Sequence, residues 1–247
     1  MKILVPISKV PDTTSKIAFT DGDSKFNEEG IQWIVNPYDE WYALVRALEL
    51  VEAGGGTVTV INVGDATSDP VIRKALALGA HEAVRVDVNP ADSYVIAKEI
   101  SAYAADKGFD MVLLGKETIS YNGSEVGGML AEFMNLPYIS LASKLEVNGD
   151  TATLDRTTEG GVEVVEVKLP LVASANKGMA EQRIPNMRGI MAARSKPLTV
   201  VAASGGAEAK TSYVKYGLPA PKSAVKLVDP ENMDELVNLL HTEAKSI

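Results

Sequence analysis

The sequence predicts an α/β protein: a doubly wound, mostly parallel sheet with an antiparallel hairpin insert and a C-terminal arm ending in a helix. Three observations lead there. Buried-strand runs alternate with amphipathic helical spacing through the first two-thirds of the chain. Around Asn148-Gly149 and Glu159-Gly160-Gly161 that order gives way to strand runs joined by tight turns. Beyond Ala202 a stretch rich in Ala, Gly, Ser and Pro has no periodicity until a last apolar helix face.

Taken in order, Ile3–Ile7 is a buried-strand run, with Pro6 near its end because proline cannot donate to a ladder. Thr20–Phe26 and Gly30–Val35 suggest a small hairpin-like excursion. Asn36-Pro37 is expected to start the first long helix, Asn36 as its cap and Pro37 at its first position. Trp41, Leu44, Val45, Leu48 and Val51 form its apolar face, and Gly54-Gly55-Gly56 ends it. Thr57–Val63 is the next strand. Asp69-Pro70 opens a second helix that stops at Gly79; Ala83–Val86 is a short strand and Ser93–Ala105 a third helix. Met111–Leu114 is a buried strand, and Val126, Met129, Leu130, Phe133 and Met134 share one helical face. Ser143–Val147 and Thr151–Arg156 form a hairpin, Val162–Leu169 continues it, and Leu171–Ala175 returns to a buried strand. The last helix, begun by Asp229-Pro230, carries Met233, Leu236, Val237 and Leu240. Residues 1–200 are read as a nucleotide-binding α/β domain, and 201–247 as an extended arm and helix that pack on a partner subunit.

Bulk properties narrow the function. The 247 residues, 46% apolar and 23% charged, suffice for one large core. No apolar run approaches the roughly 20 residues of a membrane helix, and the N-terminus lacks a leader pattern. A cytoplasmic protein without direct membrane insertion is expected. The absence of cysteine excludes thiolate metal sites, iron–sulfur clusters and Cys nucleophiles. Two histidines, His81 and His241, give poor support for a His-dependent triad or metal site. A net charge of −9 argues against nucleic acid as a partner.

The stretch Gly115–Glu132, GKETISYNGSEVGGMLAE, follows a strand and enters a helix. Ligands bind at such places in open α/β sheets, and free NH groups at a helix start suit a phosphate. Gly123, Gly127 and Gly128 are read as positions that let a ligand come close. The loops Pro6–Lys9, Asn36–Asp39 and Val63–Asp65 should converge on the same rim. Neither GxxxxGK[ST] nor a GxGxxG after the first strand occurs, so P-loop and dehydrogenase-type sites are unsupported. With no evident base, nucleophile or metal cage, the expected chemistry is holding an adenine nucleotide. Lys9 and Lys116 near these loops are equally well read as solvated charges. Asn176–Lys196 mixes Lys and Arg with Met179, Ile184, Met187, Ile190 and Met191, which suits a partner surface or an anionic cofactor.

Several motifs in order resemble the β subunit of electron transfer flavoproteins. They are Val10-Pro11-Asp12-Thr13, Asn36-Pro37-Tyr38-Asp39-Glu40, Arg73–Ala80, the Gly115 loop, Arg156–Ser174 and Glu181–Arg194. The resemblance implies a heterodimer with an α subunit and an FAD shared with that subunit. It also implies an AMP, or a second FAD, in the β-subunit pocket. Electrons would pass from acyl-CoA dehydrogenases or related flavoenzymes to a quinone reductase or another acceptor, with this chain a carrier subunit rather than a catalyst. By motif match the cofactor-binding positions are Pro6, Asn36, Pro37, Tyr38, Asp39 and Val63. Within the loop they are Ser120, Tyr121, Asn122, Gly123, Ser124, Glu125, Val126, Gly127, Gly128, Met129, Leu130 and Ala131. Tyr38 matches an aromatic position near the flavin ring. Met179, in a role that suits an exposed side chain, and Arg183 match the loop that docks the dehydrogenase. In place of the family's acidic run and Asn-Gln-Thr-Gly, this loop carries Ser120-Tyr121-Asn122 and Ser124-Glu125-Val126-Gly127. Two rivals are a stand-alone adenine-nucleotide module of stress-protein type, which has no use for the Asn176–Lys196 segment, and an adenylyl-transferring enzyme, which would want His or Lys motifs.

Overall fold

Strand β1 (Lys2–Pro6) runs through the interior of a nine-stranded sheet in the computed structural model, which describes residues 1–222 and 224–247. The sheet order is β11-β10-β9-β12-β8-β1-β6-β7-β13. Here β6 is Thr57–Val63, β7 Glu82–Asp87, β8 Met111–Gly115, β9 Tyr138–Asn148, β10 Thr151–Thr158, β11 Gly161–Lys168, β12 Leu171–Ala175 and β13 Leu198–Ala202. Strands from β9 through β12, β8, β1, β6 and β7 to β13 pair in parallel. Only β10 breaks the rule, pairing antiparallel with β9 and β11. The sheet is thus parallel with an antiparallel edge, as the sequence predicts.

Alternation along β1 explains the two layers. Ile3 and Val5 face one side and Leu4 the other, because successive strand residues point to opposite faces. Helices α1 (Asp39–Gly54), α2 (Asp69–Leu78) and α5 (Met187–Ala193) supply Leu44, Leu48, Ile72, Leu76 and Ala193 to the first side. Helices α3 (Ser93–Ala104) and α4 (Val126–Met134) supply Ile100, Ala104, Leu130 and Ala131 to the second. The chain passes from β1 to β6 and β7 on one side, then returns to β8 on the other. This reversal beside β1 opens a crevice beyond the strands' C-terminal ends.

Several local expectations change. Helix α1 begins at Asp39 with Tyr38, not Asn36, at its cap position and no side-chain capping bond. The Asn36 side chain is used elsewhere. The last helix, α6 (Met233–Leu239), is capped by Asn232, whose Oδ1 accepts from the Glu235 NH, rather than by Asp229-Pro230. The expected excursion resolves into two pairs. Strands β3 (Phe19–Thr20) and β4 (Lys25–Phe26) pair with each other, whereas β5 (Trp33–Val35) pairs back onto β2 (Lys9–Pro11). Strand β13 has no counterpart in the sequence reading. Its Leu-Thr-Val-Val run adds in parallel to β7.

The chain divides into two units: Met1–Ile17 with Asn27–Val214, and Ala18–Phe26 with Lys215–Ile247. The first holds the nine-stranded sheet. In the second, Phe19 stacks on Tyr216 with centroids 5.1 Å apart, and the Tyr216 NH donates to the Asp23 carbonyl. Within it α6 leaves Met233, Leu236 and Val237 exposed, and a π-helical turn, Leu240–Ala244, follows.

Candidate nucleotide and docking site

At the reversal point the ends of β1 and β8 meet the start of α1. Glu40 is buried there; its Oε2 accepts from the Ser8 NH and its Oε1 from the Ser8 hydroxyl, both at 2.7 Å. Burial pushes this carboxyl up to about 8, against the opposing pull of the Ser8 donors. A Cβ at Gly115 would come within 2.7 Å of the Glu40 backbone nitrogen, so only glycine lets β8 approach the helix start. Burial likewise raises Asp39 to about 6, with Lys116 pulling it down and Glu117 adding to the rise.

Asn36 is the pin of the ligand loop. It is 1% exposed; its Nδ2 donates to the Glu117 carbonyl and its Oδ1 accepts from the Ile119 NH, each at 2.9 Å. Both halves of one amide are thus spent on the loop backbone. Beyond this pin Ser120 to Glu125 are exposed. Asn122 and Ser124 take left-handed backbone angles, and the Ser124 hydroxyl donates to Glu117 at 3.1 Å. Pro6 is buried at the end of β1, paired with Ile61, and Val63 is buried at the end of β6. Val126, Gly128 and Met129 are partly exposed on the first turns of α4, whereas Leu130 and Ala131 lie in the core. A Cβ at Gly127 would lie 2.6 Å from the Tyr138 hydroxyl, so this glycine answers to packing rather than to an approaching ligand. At Gly128 the nearest neighbour stands 3.9 Å away, leaving that side open.

Tyr38 stands on the other flank. Its backbone, φ 65° and ψ −103°, is a conformation that non-glycine residues rarely hold, and its ring is exposed. The Tyr38 carbonyl accepts from the Tyr42 NH at 2.7 Å, locking the turn. A cavity of about 370 Å³ lies here between Pro37, Tyr38, Trp41, Tyr42, Thr13 and Gln182. The sequence reading missed it, although the aromatic cluster Tyr38-Asp-Glu-Trp-Tyr42 was a usable signal. Lys9 is engaged away from the loop, donating to the Thr67 hydroxyl and lying over the Trp33 ring. Lys116 pairs with Glu117 at 3.5 Å.

The docking segment, Asn176–Lys196, follows β12. Met179 is 4% exposed and belongs to the core on the side of the sheet that α1 and α2 cover, so the expectation of an exposed side chain at this position is corrected. The hydrophobic residues displayed are Ile184, Met187, Ile190 and Met191, with Met187 73% exposed. Arg183 grips Glu52 of α1 with two bonds of 2.7 and 2.9 Å, and the Trp41 indole NH donates to the Arg183 carbonyl at 3.1 Å. Gly189 presses so closely on α2 that a Cβ would sit 2.3 Å from the Ala77 carbonyl oxygen.

The loop offers hydrogen-bond donors of the kind an anion accepts, and the Tyr38 cavity has flat aromatic walls. The first NH groups of α4 lack intrahelical partners, Ser120 and Ser124 add hydroxyls, and aromatic walls bound the cavity. Among the described residues no group of His, Cys, Asp and Glu is placed to hold a metal, and no helix is long and apolar enough to cross a membrane. Fold and site therefore define a class: a doubly wound α/β protein whose working surface is the rim of its strand ends.

Comparison with known proteins narrows the class. The profile described as "Electron transfer flavoprotein domain" matches residues 23–205. The electron transfer flavoprotein subunit beta of Bacillus subtilis is 37% identical, covering 100% of both chains. That of Syntrophomonas wolfei is 34% identical over 93% of this chain and 90% of its own, and that of Bradyrhizobium diazoefficiens 31% over 99% of each. The chain belongs to the electron transfer flavoprotein family, as one of its β subunits.

Proposed function

We propose that this chain pairs with an electron transfer flavoprotein α subunit and acts as a cytoplasmic electron carrier rather than a catalyst. An FAD held mainly by the α subunit would meet the Tyr38 cavity, and AMP, or a second FAD, would lie along Pro6, Val63 and the Ser120–Gly128 stretch. When bound, the flavin supplies the redox chemistry. The chain's own residues bind and orient it. Tyr38 and Trp41 offer flat apolar contact, Asn36 holds the loop in place, and Ile184, Met187 and Met191 give an adaptable surface to an electron donor such as an acyl-CoA dehydrogenase. The α6 face would pack on the α subunit.

The observation that carries this reading is continuity between cavity and docking segment. Gln182 lines the cavity, and the neighbouring Arg183 carbonyl is held by Trp41 of the same cavity. A donor seated on Met187 would thus sit beside the flavin-facing wall, and electron transfer needs such closeness. To test it, the chain is expressed with and without its candidate α subunit, denatured, and the released nucleotides counted. One FAD and one AMP per heterodimer is the expected result; two FAD would assign the pocket to a second flavin. A nucleotide-bound homodimer that ignores the α subunit would overturn the proposal.

A further inference from the structure

The segment that leaves β13 returns across α3 and ends on the ligand loop. Glu99 of α3, itself buried, accepts from the Ser204 NH at 2.7 Å and the Ser204 hydroxyl at 2.8 Å. Farther on, Asp92 Oδ2 accepts from the backbone NH groups of Lys210 (2.6 Å) and Thr211 (2.9 Å) and from the Thr211 hydroxyl (3.3 Å). The other oxygen of Asp92 caps α3 by accepting from the Val95 NH at 2.9 Å. One carboxylate therefore ties the segment to the start of a core helix, through charge-assisted bonds stronger than neutral ones. The Lys210 ammonium lies 5.3 Å from the Tyr94 ring centroid, and Tyr94 meets Phe133 of α4 edge-on at 5.3 Å. Two residues past this double anchor, the Tyr213 ring stacks on Tyr121, centroids 4.9 Å apart and planes inclined by 26°.

Tyr121 sits in the middle of the loop, immediately before the two left-handed residues Asn122 and Ser124. Such non-glycine conformations are strained and persist only where the surroundings impose them. Asn36 holds the loop at Glu117 and Ile119, before the strained stretch. Past Ile119, the Tyr213 ring reaches the loop from a distant part of the chain.

We propose that residues 204–214 are a strap that holds the Ser120–Glu125 loop in its ligand-facing shape, with Tyr213 a positioning residue acting through Tyr121. This deepens, and rests on, the reading of that loop as the nucleotide holder. The strap belongs to the same unit as the loop, and its anchors on Asp92 and Glu99 are independent of the stack itself. A C-terminal segment that only covered α3 would have no need of a ring on the loop.

The test compares the full chain with Tyr213→Phe and Tyr213→Ala, reading backbone amide exchange of residues 118–125 by mass spectrometry, with the thermal midpoint as a control. The alanine variant should speed exchange in the loop roughly two- to tenfold, the range an aromatic pair is worth, with the midpoint nearly unchanged. The phenylalanine variant should restore the wild-type rate, because it keeps the ring. Loop exchange equal in wild type and Tyr213→Ala would overturn the proposal, and so would a phenylalanine variant that behaves like alanine. Nucleotide content, measured on the same preparations, decides the other question. A chain that carries no adenine nucleotide with its α subunit defeats the ligand reading while the exchange comparison still judges the strap.

Discussion

The ligand loop and the docking segment leave the C-terminal ends of two neighbouring parallel strands, β8 and β12, yet they are held in opposite ways. The loop is held by side chains that come from elsewhere: Asn36 on the backbone at Glu117 and Ile119, and Tyr213 on the ring of Tyr121. Its own side chains from Ser120 to Glu125 stay exposed. The docking segment is fixed largely by its own residues. Met179 is sunk in the core, Arg183 grips Glu52, and Gly189 lies flush against α2, while Trp41 adds a bond from outside. A ligand site needs polar atoms left available at fixed positions. A partner surface needs apolar side chains displayed on a firm base. On the proposed function, the same rim would meet both needs by changing who does the holding.

Substitutions can break this contrast, from the largest expected effect down. Glu40 supports the loop side from beneath. Its carboxyl is raised on folding from 4.5 to about 8, so its protonated form favours the fold. That contribution is complete below about pH 4.5 and is lost as pH climbs through about 8. Glu40→Gln keeps an acceptor for the Ser8 NH and removes the titration. In urea unfolding the variant should gain on wild type by about 3–5 kcal/mol between pH 4.5 and pH 8; a constant difference across that span would refute the buried-acid account. Next comes Met179→Ala, which should cost about 2–5 kcal/mol in the same assay, as for a core side chain. A loss well under 1 kcal/mol would return Met179 to the surface role first expected of it. Third, Asn36→Ala leaves a loop carbonyl and NH without partners. It should cost about 2–4 kcal/mol and lower nucleotide content in the purified heterodimer. Unchanged content would separate the pin from the ligand. Smallest in stability is Met187→Ala, expected within about 0.5 kcal/mol of wild type, yet it should slow reduction by an acyl-CoA dehydrogenase with flavin content intact. Slowing by Met179→Ala alone, once matched for stability, would move the docking anchor back inside.

Much of the frame was legible in the sequence because it rests on periodicity. The β1 run, the Trp41–Val51 face, the Asn148-Gly149 hairpin and the buried return at Leu171 each bury a regular set of positions. What escaped depends on contacts distant in sequence. Three residues, Lys9 to Pro11, carry no periodic signal, and only their pairing with Trp33–Val35 makes them a strand. Asn36 before Pro37 matched a helix cap in type and place, but its amide found better partners across the crevice at Glu117 and Ile119. Met179 and Met187 look alike in a mixed Arg and Met segment; burial alone tells them apart. The cavity was hidden because its walls come from the first loop, the start of α1 and the docking segment.

Strand β13 has a consequence for the order in which the protein is made. It pairs only with β7, from which it is separated by five strands and three helices of chain. Until Leu198–Ala202 leaves the ribosome, one side of β7 presents unpaired backbone groups, the kind of edge that recruits foreign strands. The strap that begins at Ser204 follows β13 directly, so adding the edge strand and clamping the loop fall together. A nascent chain that stops short of Leu198 therefore carries a sheet without its edge strand and an unclamped loop, and the next stretch, residues 198–214, supplies both.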